Sequence, residues 1–302
     1  MRFKFYLFLI FYTLLFLFYP GNNFYFHIFA YHRDLFNKKE VAVKNQKRLV
    51  PYLKNPFFQP EVSAQGVYVV DYDSFTPVFQ KNPHEKFLPA STVKIITALT
   101  ALDVYKPDDI ITVKKTISDG QLMGLVEGEK ITVENLLYGM LIHSGNDAAF
   151  VLADNYGYKK FVDLMNKKAK DFKMKNSFFS DPTGLIETNQ YTSPFDLALA
   201  SRKLLENRYL SKIVSIKEIT ISDIEFKYFH KLNNVNKLLG QITGIGGLKT
   251  GYTELAGENL VSFYKKNGYQ YLIVILKSED RFGDTEKIIN WLNENIDYII
   301  IN

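Results

Sequence analysis

The chain has no cysteine among its 302 residues, which excludes disulfides, thiolate metal sites, iron–sulfur clusters and a cysteine nucleophile. Any chemistry must run on oxygen and nitrogen groups. Tryptophan occurs once and no sequence period recurs, so solenoid and propeller arrays are excluded. Hydrophobic residues at 47% and charged residues at 23% exclude a disordered or low-complexity chain. The length fits one large or two medium domains.

A net positive charge is also missing from most of the chain. Nine Lys and Arg lie in the first 58 residues against Asp34 and Glu40, while the remaining 28 basic and 30 acidic residues leave the rest near neutral. A basic arm on a neutral body argues against a nucleic-acid partner. Phe and Tyr are abundant, at 25 and 20, and core burial is the common use of such rings. His143 and Asp147 stand at i and i+4 with no third ligand in view, so no metal or organic cofactor is implied.

Long apolar runs are confined to the amino terminus. Arg2 and Lys4 precede an uncharged run over residues 5–19, the layout of a secretory signal. Fifteen helical residues span about 22 Å, short of the ~30 Å hydrocarbon core. A second apolar stretch at 24–30 follows Pro20-Gly21-Asn22-Asn23, and Ile28-Phe29-Ala30 comes nearest to a cleavage site. Residues 1–30 therefore read as a signal peptide or N-terminal membrane anchor. Residues 31–58 read as a solvated basic linker able to touch anionic headgroups or wall polymers, and 59–302 as the folded domain.

Apolar and β-branched runs predict a strand pair at 66–71 and 76–80, and a hairpin of 259–265 and 269–276 around Lys266-Asn267-Gly268. Helical spacing predicts helices over 91–104, 133–143, 146–156, 158–172 and 193–206. The last opens with Ser193 as N-cap, Pro194 at the first helical position and Asp196 three residues after the cap. A closing helix is expected over 285–299 with Ile288, Ile289 and Leu292 inward. The expectation is one α/β domain whose sheet uses both chain ends, with a helical insertion between them.

Ser91-Thr92-Val93-Lys94 opens one of these helices, so Lys94 shares a face with Ser91. A serine hydroxyl needs a base, and lysine serves only if its pKa falls toward neutrality; three units amount to roughly 4 kcal/mol and demand burial plus a nearby cation. The tetrad is weak evidence alone, since about two matches per 300 residues arise by chance. The chain supplies a second one, Ser262-Phe263-Tyr264-Lys265. That match falls in a predicted strand, where i and i+3 face opposite ways.

Ser144-Gly145-Asn146 lies between two predicted helices, and Lys249-Thr250-Gly251 follows the glycine-rich Gly244-Ile245-Gly246-Gly247-Leu248. Taken singly, Ser144 and Asn146 are ordinary capping residues. Ser-x-x-Lys, Ser-x-Asn and Lys-Thr-Gly in that order form the motif set of penicillin-binding proteins and class A β-lactamases.

The segments Pro89-Ala90-Ser91-Thr92-Val93-Lys94, His143-Ser144-Gly145-Asn146-Asp147 and Gly247-Leu248-Lys249-Thr250-Gly251-Tyr252-Thr253 extend the likeness, with Asn234-Val235-Asn236-Lys237-Leu238 before the third and Ala256-Gly257 after it. The sequence resembles the low-molecular-weight penicillin-binding proteins that are serine-type D-alanyl-D-alanine carboxypeptidases. The resemblance implies a serine β-lactamase or DD-peptidase-like fold, an antiparallel sheet flanked by helices with a helical insertion, and makes 59–302 the DD-peptidase catalytic domain. It implies an acylated Ser91, Lys94 as general base, Ser144 as proton relay to the leaving D-alanine, and Asn146 holding the substrate amide and orienting Lys94. Lys249 and Thr250 would bind the terminal carboxylate, Gly251 would let the substrate lie along the strand edge, and the N–H groups of Ser91 and Tyr252 would form the oxyanion hole. Lys249 would also be the cation that depresses Lys94.

The implied substrate is the peptidoglycan stem peptide, with β-lactam antibiotics as covalent inhibitors and an extracytoplasmic location attached through the amino terminus. Tyr252 stands where relatives often carry histidine. The chain also stops shortly after Trp291, without the β-rich domain and amphipathic tail of many members, which moves the expected membrane attachment to the amino terminus. Alternatives are a DD-endopeptidase, a non-catalytic wall-binding scaffold, or a β-lactamase. For the last, Glu187 is the one glutamate near the required loop.

Overall fold

Gly66–Asp71 is buried at every position, as a strand covered on both faces must be. In the computed structural model, which describes residues 2–17 and 48–301, this strand sits inside a five-stranded antiparallel sheet. The first 48 residues and the body from Leu49 to Ile301 are separate units. In the first, helix α1 spans Arg2–Leu17. Among the described residues no helix is long and apolar enough to cross a membrane. The expected cleavage site near residues 28–30 and the arm over 31–47 lie outside the described residues.

The body begins with β1 (Arg48–Leu53), β2 (Gly66–Asp71) and β3 (Pro77–Lys81). A 3₁₀ turn (Ala90–Val93) runs into α2 (Lys94–Val104), followed by β4 (Ile110–Thr112), β5 (Lys130–Thr132), α3 (Val133–Leu141), α4 (Asn146–Tyr156) and α5 (Tyr158–Asp171). Next come α6 (Pro194–Glu206), α7 (Arg208–Val214), β6 (Glu218–Ser222) and β7 (Phe229–Asn233). The chain closes with β8 (Ile245–Thr253), β9 (Gly257–Lys266), β10 (Tyr269–Ser278), α8 (Arg281–Asn295) and β11 (Ile296–Ile301).

The sheet runs β3-β2-β10-β9-β8, so both chain ends build it and α2 to α7 form the insertion, as expected. Asn267 and Gly268 both take positive φ, 53° and 85°, with Lys266 opposite Tyr269. This is the two-residue hairpin turn that matches strand twist. Alternation then divides the core. Tyr68, Val70, Leu272 and Val274 face the helical insertion, while Val67, Val69, Ile273 and Ile275 face α8 through Ile288 and Leu292. β8 is left at the edge of the sheet, beside the 3₁₀ turn. The predicted cap of α6 is present: Ser193 accepts the Asp196 N–H, a bond worth about 1 kcal/mol.

Helix α2 is buried from Lys94 through Ala101, the environment of a helix at the centre of a domain. Short pairs β4–β5 and β6–β7 and helix α7 had no expectation in the sequence, being too short for periodicity to mark. Two expectations are corrected. The closing helix stops at Asn295, and the β-branched run Ile296–Ile301 is strand β11, paired with β1. The last part of the expected linker, from residue 48, is therefore folded. Asn55 N–H donates to Asn295 Oδ1 at 2.8 Å, Asn295 Nδ2 to Asn55 O at 3.0 Å, and Trp291 Nε1 to Phe58 O at 2.7 Å.

Candidate active site

The site begins where the sheet grips the turn before α2. Asn259, wholly buried on β9, donates from Nδ2 to Leu88 O at 2.9 Å and Pro89 O at 3.1 Å. Pro89 O also accepts from Thr92 Oγ1 at 2.5 Å. Ala90 takes φ +45°, and the chain enters the 3₁₀ turn that holds Ser91. In a 3₁₀ turn residues i and i+3 eclipse, which stacks Lys94 over Ser91. Lys94 Nζ lies 2.8 Å from Ser91 Oγ.

Lys94 is fully buried and also donates to Ser144 O at 3.0 Å and to Asn146 Oδ1. Burial lowers its pKa to about 7, against the opposing pull of Asp181 and Asp147. Near neutrality the amine is therefore free to take a proton from Ser91. Asn146, at the start of α4, is itself oriented by its Nδ2 bond to Asp119 O at 3.0 Å.

Ser144 has φ +64°, a left-handed conformation that costs a non-glycine residue about 1 kcal/mol or more. That backbone turns its carbonyl to Lys94 and its hydroxyl to Lys249, whose Nζ lies 2.8 Å from Ser144 Oγ and 3.0 Å from Thr250 O. Burial, then the Lys94 and Arg281 cations, hold the Lys249 pKa well below the usual lysine range. The expectation for Lys94 was burial together with Lys249 as the nearby cation. In the structure burial is the leading cause for both lysines, and two ammonium groups in one buried site oppose each other's charge.

A cavity of about 280 Å³ opens over these groups. Ser91, Ser144, Asn146, Thr250, Gly251 and Tyr252 line it, so the structure brings six of the eight expected residues to its wall, with Lys94 and Lys249 buried behind Ser91 and Ser144. Tyr252 is 60% exposed. Gly251 has an additional reason to be glycine: a Cβ there would lie 3.1 Å from both Ser91 N and Pro89 O, so β8 packs directly on the turn that carries Ser91. At Gly184, φ +87°, a Cβ would come 2.0 Å from Ala90 O.

Three further residues had no expected role in the site. Asp181 gathers the N–H groups of Thr183, Gly184, Leu185 and Ile186, which folds the 181–186 loop against the turn. Asp147 does the same for Met123, Gly124 and Leu125 and shapes the loop that carries Gly120 and Gln121 into the cavity. Arg281, at the start of α8, lines the cavity and donates from Nη1 to Gly251 O at 2.8 Å. The Asp-Pro-Thr-Gly run was a legible turn signal for the first; nothing local marked Arg281. Glu187 does not line the cavity, so the β-lactamase reading lacks its glutamate there. Ser262 is buried on β9 while Lys265 is exposed, as the alternation predicts.

The model for the family described as D-alanyl-D-alanine carboxypeptidase, peptidase S11, matches residues 54–280. The chain belongs to this family. Among curated proteins, D-alanyl-D-alanine carboxypeptidase DacF of Bacillus subtilis is 34% identical over 221 residues, covering 70% of this chain and 57% of that protein. DacD of Escherichia coli is 31% identical over 267 residues, covering 82% and 66%. The matches thus span less than two thirds of these relatives. Among solved structures, the Streptomyces K15 DD-transpeptidase superposes with a TM-score of 0.74 at 28% identity, covering 78% of this chain and 98% of that one. A D-alanyl-D-alanine carboxypeptidase from Mycobacterium tuberculosis gives 0.72 at 26%, covering 77% and 91%. The fold is therefore the DD-peptidase fold expected from the S11 resemblance.

Proposed function

We propose that the protein is a serine-type D-Ala-D-Ala carboxypeptidase that removes the terminal D-alanine from peptidoglycan stem peptides. The observation that carries this reading is the buried Lys94 amine, its pKa near 7, at 2.8 Å from Ser91 Oγ. Ser91 Oγ attacks the carbonyl of the penultimate D-alanine while its proton passes to Lys94. The resulting oxyanion is taken up by the N–H groups of Ser91 and Tyr252. The C–N bond then breaks, D-alanine leaves with a proton relayed through Ser144, and a water hydrolyses the acyl-Ser91 ester.

Asn146 orients Lys94 and holds the substrate amide. Lys249 and Thr250 receive the terminal carboxylate, a role for which the cation at Arg281 is also placed. β-Lactams, which mimic the D-Ala-D-Ala terminus, acylate the same serine. The site works outside the cytoplasm, with residues 1–30 as export signal or membrane anchor and the basic arm beside the membrane or wall. The two charges Arg2 and Lys4 ahead of the uncharged run over residues 5–19 support this placement.

The test is D-alanine release from a peptide ending in Lys-D-Ala-D-Ala, run for the wild type and Ser91→Ala. Release that is lost in the variant supports the reading. A folded wild type that releases none overturns it for this substrate.

A further inference from the structure

A buried ion pair outside the reacting groups grips the loop that walls the cavity. His230, on β7, is 5% exposed and Glu129 is 2% exposed. His230 Nε2 lies 2.8 Å from Glu129 Oε1, and Nδ1 lies 3.1 Å from Met123 O. The second oxygen of Glu129 accepts the Val126 N–H at 3.0 Å. A carbonyl and a carboxylate only accept, so both ring nitrogens must donate, and only the imidazolium carries two N–H groups.

The loop held in this way reaches the reacting groups. Asn146 N–H donates to Gln121 O at 2.7 Å and Asn146 Nδ2 to Asp119 O, while Asn146 Oδ1 receives Lys94. A continuous set of bonds therefore joins His230 to Lys94 through Met123, Gln121 and Asn146. Asp147 on α4 acts on the same ring while its oxygens hold the loop N–H groups. His143, the other imidazole at this loop, contacts Gln121 Nε2 at 2.7 Å and Asn233 O at 3.3 Å.

We propose that His230 is a positioning residue for the site: its imidazolium, locked between Glu129 and Met123 O, holds the 119–126 loop against Asn146, and loss of its proton releases the loop. The effect on turnover rests on the carboxypeptidase reading; the clamp itself does not. Burial disfavours the charged ring, but the Glu129 bond and charge, the Met123 carbonyl and Asp147 together raise its pKa above the usual 6.5. A raised pKa means that the clamp is complete at low pH and is lost as pH rises through the His230 pKa. Lys94 imposes the opposite demand, since it must be neutral to act. The two requirements together make a bell-shaped profile.

The experiment follows the His230 ring nitrogens by NMR, and amide exchange over 119–126, from about pH 5 to about pH 9 in the full chain. It is repeated in Glu129→Gln and in the double variant Glu129→Gln with His230→Gln. Two protonated ring nitrogens at low pH are expected, with loop protection falling by up to about tenfold per pH unit above the transition. Glu129→Gln moves that transition to lower pH, and in the double variant protection no longer follows pH. The alkaline limb of D-alanine release moves to lower pH with the transition in Glu129→Gln, while the acid limb stays.

A ring with one proton at low pH, or loop protection that ignores its titration, overturns the clamp. An alkaline limb that keeps its wild-type midpoint in both variants overturns its role at the site. A wild type that shows the coupled titration but releases no D-alanine supports the clamp and overturns the carboxypeptidase reading alone.

Discussion

Ser91-x-x-Lys94 and Ser262-x-x-Lys265 have the same spacing but occupy opposite kinds of backbone. The first crosses from a 3₁₀ turn into α2, which stacks the amine over the hydroxyl at 2.8 Å and buries Lys94 behind a Ser91 that faces the cavity. The second lies on β9, where Ser262 points into the core without a partner for its Oγ and Lys265 stands in solvent. The difference shows that the motif acquires chemistry from secondary structure and burial. A lysine in water at its ordinary pKa is no base at neutral pH.

The comparison breaks most sharply at the two serines. Ser91→Ala should lower D-alanine release and penicillin acylation by about 10⁴-fold or more, as loss of an activated nucleophile does, whereas Ser262→Ala should leave both within about twofold. An acylated Ser262 in a labelled digest would end the distinction.

The lysines come next. Lys94→Arg keeps the charge but cannot be deprotonated, so acylation should fall by roughly 10²- to 10⁴-fold; Lys265→Met should have no measurable effect on the rate. On the proposed mechanism the wild-type acylation rate should rise with pH through about 7, as Lys94 becomes neutral. Stability shares the sign. A lysine whose pKa is lowered from 10.5 to about 7 on folding makes the unfolded state bind more protons in that window, so stability rises with pH between them. Denaturant titrations at about pH 6 and about pH 9 check this, and Lys94→Met should flatten the slope.

Smaller effects sharpen the contrast between strained and relaxed backbone. Ser144→Gly removes the cost of φ +64° and should raise stability by about 1 kcal/mol while slowing acylation through the lost hydroxyl. Gly184→Ala should do the reverse for stability, because its Cβ would meet Ala90 O. At the other tetrad, Ser262→Ala removes an unpartnered buried hydroxyl and should be neutral or slightly stabilising. Thermal unfolding of the three variants orders them.

Local pattern was enough for the sheet and the order of the site's segments. The β-branched and aromatic run Val67-Tyr68-Val69-Val70 predicted β2, Asn267-Gly268 predicted the β9–β10 turn, and Ser193-Pro194 predicted the start of α6, because backbone dihedral preferences and side-chain period act over a few residues. Strand β11 was mistaken for more helix because its partner β1 lies at the far end of the body, and strand pairing is invisible to a window that sees one strand. The loop-holding roles of Asp147, weighed only as a metal ligand beside His143, and of Asp181 were missed because a carboxylate that collects backbone N–H groups has no signature of spacing.

The sequence by itself determined which residue types could do chemistry here: without cysteine, two serines, two lysines and an asparagine in a fixed order. Tertiary structure alone decided that Lys94 is buried, that Lys249 reaches Ser144 across 105 residues, and that Arg281 enters the cavity. Proton affinity and contact between distant residues are sums over every neighbour brought close by folding, and only the folded chain supplies those neighbours.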